Sequence, residues 1–247
     1  MPSINSEGLI LKAQSHSEAD RIYTIYTKKA GKIRVVAKGV RKISSRRSGN
    51  LDSLNLVSFA YSKYGTFPIL TEVSVLNSFT VLKKDLEKVR YGYEILELVD
   101  KFLVEEDEHI EIYNLLVETL QNLNRLKDGG RKLALLNFKA KLLGFLGYDP
   151  VLNFCVSCYR DFDGTWDYAS FSNSMGGIGC DQCAKKGEGA IGFGSLSILV
   201  VLRNLNFKKV QELEIEKDDL AEAGEVLTGY CEYLLSSPIR SSKIFSK

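Results

Sequence analysis

The chain has 247 residues, 45% of them apolar and 26% charged, a balance that excludes general disorder and leaves room for two modest domains with a small insert. No apolar run approaches the roughly 20 residues that cross a bilayer, and residues 1–12 lack the basic and then apolar succession of a secretory leader, so a soluble cytoplasmic protein with no membrane partner is expected. The net charge is only +2, yet residues 1–79 carry 12 Lys/Arg against 5 Asp/Glu while the remainder carries 21 against 26; such asymmetry points to a polyanion partner for the first portion.

Residues 8–13, 21–27, 32–38, 54–61 and 69–76 read as short strands, rich in β-branched and aromatic residues and bounded by turn signals at Gly31, Gly39, Gly49-Asn50 and Gly65. Five short strands in about 75 residues suit a small barrel, and the OB-fold is the expected one. Periodicity alone does not separate it from an SH3-like barrel. After Phe79 the period changes. Leu82, Leu86, Val89, Tyr93, Leu96, Val99 and Leu103 recur at threes and fours and predict an amphipathic helix. A second is predicted near 110–126, and a third over 131–146, stopped by Gly147-Tyr148-Asp149-Pro150. Helical patterning resumes at 195–204 and 218–235, with Asp219 and Glu222 as a capping pair for the latter. Cys231 falls on that last helix and is expected to be a buried free thiol.

Between the helical stretches stand two Cys-x-x-Cys pairs, Cys155/Cys158 and Cys180/Cys183, with 21 residues between them. Each pair can supply two thiolates from a tight turn to one tetrahedral ion, and zinc is the expected metal, in a structural role. The intervening residues are glycine-rich and poor in core-formers, so a metal is a plausible source of their order. A redox dithiol is usually a single pair beside a βαβ pattern, absent here, and disulfides belong to exported chains. The expected fold class is therefore α+β multidomain: an N-terminal OB-fold barrel (1–79), an all-α helical domain (80–150 and 189–247) and a four-Cys zinc-binding loop interrupting it (151–188).

The densest chemistry lies in residues 28–47, with nine basic residues and no acidic one. Lys32, Arg34 and Lys38 are two or four apart and would emerge on one strand face, with Ile33 and Val35 turned inward. Arg41, Lys42, Arg46 and Arg47 belong to the following loop. A cationic sheet face joined to a cationic loop suits a phosphate backbone of any sequence. Tyr23, Tyr26, Tyr61, Tyr64 and Phe67 are candidates for base stacking, some of them required by the core. Catalytic constellations are thin: His16 and His109 are the only histidines, and no P-loop, Gly-x-Ser-x-Gly or His-Glu-x-x-His motif occurs. No enzyme activity is expected.

Several pieces in succession resemble the RecO recombination mediator family of bacterial DNA repair. They are the run 18–27, Gly31-Lys-Ile-Arg-Val-Val-Ala-Lys-Gly-Val-Arg-Lys42, Gly49-Asn-Leu51, Leu70-Thr-Glu72, Phe145-Leu-Gly-Tyr148, Phe171-Ser172, Gly176-Gly177, Cys180 and Cys183. The resemblance implies an N-terminal OB-fold, a helical domain and a zinc-binding loop. It implies a protein that binds single- and double-stranded DNA and anneals complementary strands. Such a protein works with RecR to place RecA on strands coated by single-strand binding protein, and is cytoplasmic and nucleoid-associated. Carried onto this chain, the DNA contacts would be Lys32, Arg34, Lys38, Arg41 and Lys42, with Arg46 and Arg47 as loop extensions. The family engages the C-terminal tail of single-strand binding protein through its helical domain, for which Arg131, Lys132, Lys139 and Lys141 are candidates on charge alone. Two other readings compete. One is a zinc-containing RNA- or ribosome-associated binding module. The other, ranked well below it, is a metal-dependent nuclease using Glu18 and Asp20, which has fewer clustered carboxylates than two-metal sites want.

Overall fold

The computed structural model describes residues 3–42, 48–63, 67–126, 130–164, 166–184 and 189–243. Contacts divide the chain into two compact units, Met1–Lys127 with Arg240–Lys247, and Asp128–Ile239. The barrel thus shares its unit with the first helices, whereas the change from strand to helix falls at Thr80, next to the sequence boundary at 79.

In the first unit, β1 (Ile4–Ser15), β2 (Arg21–Thr27), β3 (Gly31–Ala37), β4 (Leu56–Ser62) and β5 (Ile69–Asn77) form a closed barrel in the order β1-β2-β3-β5-β4. β1 is long enough to serve two neighbours. Residues 4–9 pair with β4 and residues 8–15 with β2, and the register shifts between Ile10 and Lys12, the kind of irregularity that bends a strand around a barrel. Alternate residues of the strands meet inside: Ile10, Tyr23, Ile25, Ile33, Val35, Val57, Phe59 and Leu70 belong to one buried cluster. Each such Ile, Val or Leu contributes roughly 1.5–3 kcal/mol by leaving water.

β2 is buried on both faces, from Ile22 to Thr27, and its Tyr26 ring meets Tyr113 on one of the helices of the same unit. These are α1 (Thr80–Lys83), α2 (Leu86–Phe102) and α3 (Ile110–Arg125). The single long helix predicted through 82–103 is broken in two: the Asp85 carboxylate accepts from the amides of Glu87 and Lys88, both at 3.1 Å, and starts α2 anew. Tyr26 Oη donates to the His109 carbonyl at 3.1 Å, and Tyr113 Oη to Glu7 Oε1 at 2.7 Å, tying α3 to the barrel. A short α8 (Arg240–Lys243) returns to α2, where Glu97 accepts from the Arg240 and Ser241 amides and the Ser241 hydroxyl. Burial disfavours the Glu97 carboxylate, but these donors and the Lys101 ammonium outweigh it and draw its pKa down to about 2.

The second unit is built around α4 (Arg131–Phe145), buried from Leu133 through Ala140. α5 (Phe193–Asn204), α6 (Phe207–Val210) and α7 (Lys217–Leu234) pack against it. A three-stranded antiparallel sheet, unread in the sequence, is made of β6 (Ala169–Ser172), β7 (Gly177–Cys180) and β8 (Ala190–Ile191) in the order β7-β6-β8. The expected capping pair acts elsewhere. α7 begins at Lys217, and Glu222 instead accepts from the Gly192 amide at 2.8 Å and from the Ser195 hydroxyl, at the N-terminus of α5. A carboxylate there meets the positive end of the helix. Cys231 is buried on α7, as expected. Among the described residues no helix is long and apolar enough to cross a membrane.

Candidate nucleic-acid interface and metal centre

The two halves of the basic run are placed differently. On β3, Ile33 and Val35 face the barrel core as expected, but the opposite face is not open. Lys32 is only 8% exposed. Its ammonium donates to the Asp100 carbonyl at 2.5 Å and lies 3.5 Å from Asp100 Oδ1, while Lys12 holds Oδ2 of the same carboxylate. Arg34 Nε lies 2.8 Å from Glu105 Oε1, and the guanidinium sits over the Phe67 ring at 4.9 Å. Lys32 therefore does not emerge for a ligand as expected, whereas Arg34, with 38% of its side chain exposed, reaches the surface paired with Glu105. The outer edge of β3 meets β5 at one pair, Val36↔Ile69, and the 105–108 segment fills the rest: Lys32 and Glu105 form a parallel bridge, and the Glu106 amide donates to the Lys32 carbonyl at 3.0 Å. Gly31 makes the approach possible. At its φ of 58°, a Cβ would stand 2.2 Å from the Asp107 carbonyl oxygen.

Beyond β3 the picture reverses. Lys38, Arg41 and Lys42 are exposed on the loop that follows, and the loop is braced from behind. Asp20 Oδ1 accepts from the Gly39 amide at 2.7 Å, the Arg41 amide donates to the Ala19 carbonyl at 3.0 Å, and Arg41 Nη1 donates to the Ser17 carbonyl at 3.0 Å. The Gly39 amide, aided by the Lys38 charge and opposed by slight burial, holds the Asp20 carboxyl below its ordinary value. Asp20 thus serves a turn, and among the described residues the only group of three or more metal-ligating side chains is elsewhere, which leaves the Glu18/Asp20 nuclease reading without a metal cluster. Arg21 is exposed beside the same loop. Arg46, Arg47 and Tyr64 lie outside the described residues. Tyr23, Tyr26 and Tyr61 are buried and belong to the packing, and Phe67 is half-buried beneath Arg34, with His16 edge-on to it at 6.2 Å. His109 caps no helix with its ring, which instead meets Asp107 at 3.0 Å. Among the cations considered for a protein partner, Lys139 is 1% exposed and donates to Thr228 Oγ1 at 2.8 Å, so it faces the core of its unit.

In the second unit the four cysteines converge. The Sγ atoms of Cys155, Cys158, Cys180 and Cys183 all lie within 4.8 Å of one another, and Cys158 and Cys180 are 3.7 Å apart. That is far beyond a disulfide bond and close to the ~3.8 Å edge of a tetrahedron with 2.3 Å metal–sulfur bonds. Two turns present them. The Tyr159 amide bonds the Cys155 carbonyl at 2.9 Å, and the Cys183 and Ala184 amides bond the Cys180 carbonyl at 3.0 and 2.8 Å. β7 links the two: the Ile178 amide bonds the Val151 carbonyl and the Val156 amide bonds the Ile178 carbonyl, both at 2.9 Å. A Cβ on Gly177 would fall 2.6 Å from the Val151 carbonyl oxygen, so only glycine fits there. Burial opposes a Cys155 thiolate, but amides of Cys180, Cys158 and Ser157 pull its pKa down to about 6, whereas neighbouring Cys158 and Cys180 push Cys183 up to about 12. Four thiols at this range cannot all ionise unaided; a cation at their centre removes that conflict. The donor set fits a tetrahedral metal ion.

Sequence comparison gives the same division of the chain. Residues 1–79 match the family model described as Recombination protein O N terminal, and residues 83–243 match Recombination protein O C terminal. The "DNA repair protein RecO" of Desulforamulus reducens is 28% identical over 243 residues, covering 98% of this chain and 93% of the relative. That of Moorella thermoacetica is 28% identical over 244 residues, covering 98% and 90%. That of Roseiflexus sp. is 32% identical over 239 residues, covering 96% and 82%. With both family models matched along nearly its whole length, and a five-stranded barrel preceding a helical region that carries a four-cysteine cluster, the chain belongs to the RecO family of DNA repair proteins.

Proposed function

We propose that this protein is a DNA-binding recombination mediator and not a catalyst. It binds single- and double-stranded DNA, anneals complementary strands, and acts with RecR to load RecA onto strands coated by single-strand binding protein. The observation that carries the reading is the braced cationic loop. Lys38, Arg41 and Lys42 stand exposed at one end of an OB-like barrel, with Arg46 and Arg47 next in sequence. The backbone bonds of Gly39 and Arg41 hold the loop, so the side chains need not be ordered one by one when a strand arrives. Annealing then needs no bond to be made or broken by the protein. Two strands repel, a cationic surface screens the repulsion and raises their local concentration, and base pairing supplies the specificity.

The test is binding of labelled single-stranded DNA across a salt series. Five loop cations on single-strand phosphates give a log-log slope of about −3.5. A slope near zero removes the reading. Strand annealing in the presence of single-strand binding protein tests the mediator role, and competition by matched RNA separates it from an RNA-binding module.

For the second unit, we propose that the four cysteines hold a structural Zn²⁺, on the strength of their mutual distances and the two turns that present them. The purified protein is expected to contain about one zinc per chain. Cys155→Ser should drop that content and abolish the protection of 151–184 amides from hydrogen exchange. Retention of full metal content by the variant refutes the four-thiolate site.

A further inference from the structure

The face formed by strands 2 and 3 is where OB-folds commonly take oligonucleotides. In this chain it is covered by the protein's own residues, and the part that lies on β3 is acidic. Glu105, Glu106, Asp107 and Glu108 run consecutively. Docking of this segment is by main chain: the Glu106 amide bonds the Lys32 carbonyl, the Asp107 carbonyl sits against Gly31, and the His109 carbonyl receives the Tyr26 hydroxyl. Its carboxylates are not needed for that docking. Glu105, Glu106 and Glu108 are exposed and line a cavity of about 530 Å³ whose other charged walls are Lys32, Arg34 and Lys63, with Phe67 at one side. The Arg34–Glu105 contact is held by charge alone. Nε is 2.8 Å from the carboxylate oxygen, yet it is buried without a hydrogen-bond partner. Arg34 is thus a cation over an aromatic ring, in a strand-wide cleft, neutralised by a poorly directed internal carboxylate.

We infer that the cleft between β3 and β5 is a second binding site for the phosphate backbone of a nucleic-acid strand, with Arg34 and Lys63 as its cations, and that Glu105, Glu106 and Glu108 are an internal competitor for it. The inference rests on the nucleic-acid reading above. In it, a strand held by the Lys38–Lys42 loop extends into the cleft only by outcompeting the three carboxylates. Binding is thereby kept weak enough to reverse, which a protein that anneals strands and then leaves the duplex requires.

The test uses the full chain with Glu105→Gln, Glu106→Gln and Glu108→Gln together. The replacements keep shape and leave the main-chain docking in place. Binding of an oligo-dT strand is read by fluorescence anisotropy between about 50 and 200 mM salt. Release of two cations should tighten binding roughly sixtyfold at the lower salt and steepen the log-log slope by about 1.4. Adding Arg34→Ala and Lys63→Ala to the triple variant should remove both gains. A gain that survives those two changes is a general effect of net charge and overturns the inference. Unchanged affinity, with wild-type binding still dependent on Arg41 and Lys42, overturns the inference and leaves the loop reading intact. Absence of salt-dependent binding by both proteins defeats the two together.

Discussion

Lys32 and Arg34 on β3 and Lys38, Arg41 and Lys42 on the next loop lie within 11 consecutive residues, yet the protein uses the two groups differently. The strand cations face Asp100 and Glu105, from a chain segment some 70 residues away in sequence. The loop cations project from a turn held by backbone bonds and by the Asp20 carboxylate at its base. A buried ammonium needs a partner because its loss of hydration is too costly to leave uncompensated. An exposed one keeps its water and exchanges it for phosphate only when a ligand comes. A run of basic residues is therefore a measure of charge carried, and the packing decides how much of it is offered.

Replacing Arg41, Lys42, Arg46 and Arg47 together by Ala is the strongest challenge to this division. At about 0.1 M salt each single-strand phosphate contact contributes roughly fivefold, so loss of four contacts should lower affinity for single-stranded DNA by nearly three orders of magnitude, roughly 600-fold. The slope should flatten from about −3.5 toward −0.7, while thermal unfolding stays near that of the parent. An unchanged affinity places the DNA site elsewhere.

The complementary change is Lys32→Met. It removes a buried charge from beside Asp100 and leaves the carbonyl of that residue without its donor. Breaking one side of such a pair is expected to cost about 2–3 kcal/mol, toward the lower end because Lys12 still holds the other oxygen of Asp100. Denaturant titration should report that loss as a lower midpoint. The salt slope for DNA should stay within about 0.3 of the parent. A slope that drops by a full contact means that Lys32 reaches the phosphate after all.

What could be read from the sequence, and what could not, follows the range of the interactions. The five strands were legible because each alternates around its own turn signals, and the cysteine cluster because each pair of ligands is local and of one chemical type. The small sheet β7-β6-β8 was not. Its strands are two to four residues long and one reads Gly-Ile-Gly-Cys, too short for any period to show. The break between α1 and α2 depends on a single Asp85 side chain turning back on the helix amides. The burial of Lys32 depends on Asp100, and the placement of Glu222 at α5 depends on Gly192, 30 residues earlier. The acidic run 105–108 was visible in the sequence, but nothing local ties it to β3; Gly31, which lets it approach, looks like any turn glycine.

The finest test concerns the brace itself. Asp20 touches no ligand in the proposed reading; it positions the loop through the Gly39 amide. Asp20→Ala should therefore lower affinity only severalfold, by returning to the loop the freedom that binding must then remove, and should leave the salt slope unaltered because no cation is lost. Asp20→Asn, which retains an acceptor oxygen, should recover most of the difference. The folded carboxyl lies below its ordinary value of 3.8, so the brace is complete above that value and is lost only as pH falls through the depressed one. Affinity measured from about pH 5 to 8 should therefore show no inflection from this group. If Asp20→Ala changes the slope by as much as removing a cation does, the loop is not a preformed turn and the distinction between braced and neutralised charge fails at its nearest point.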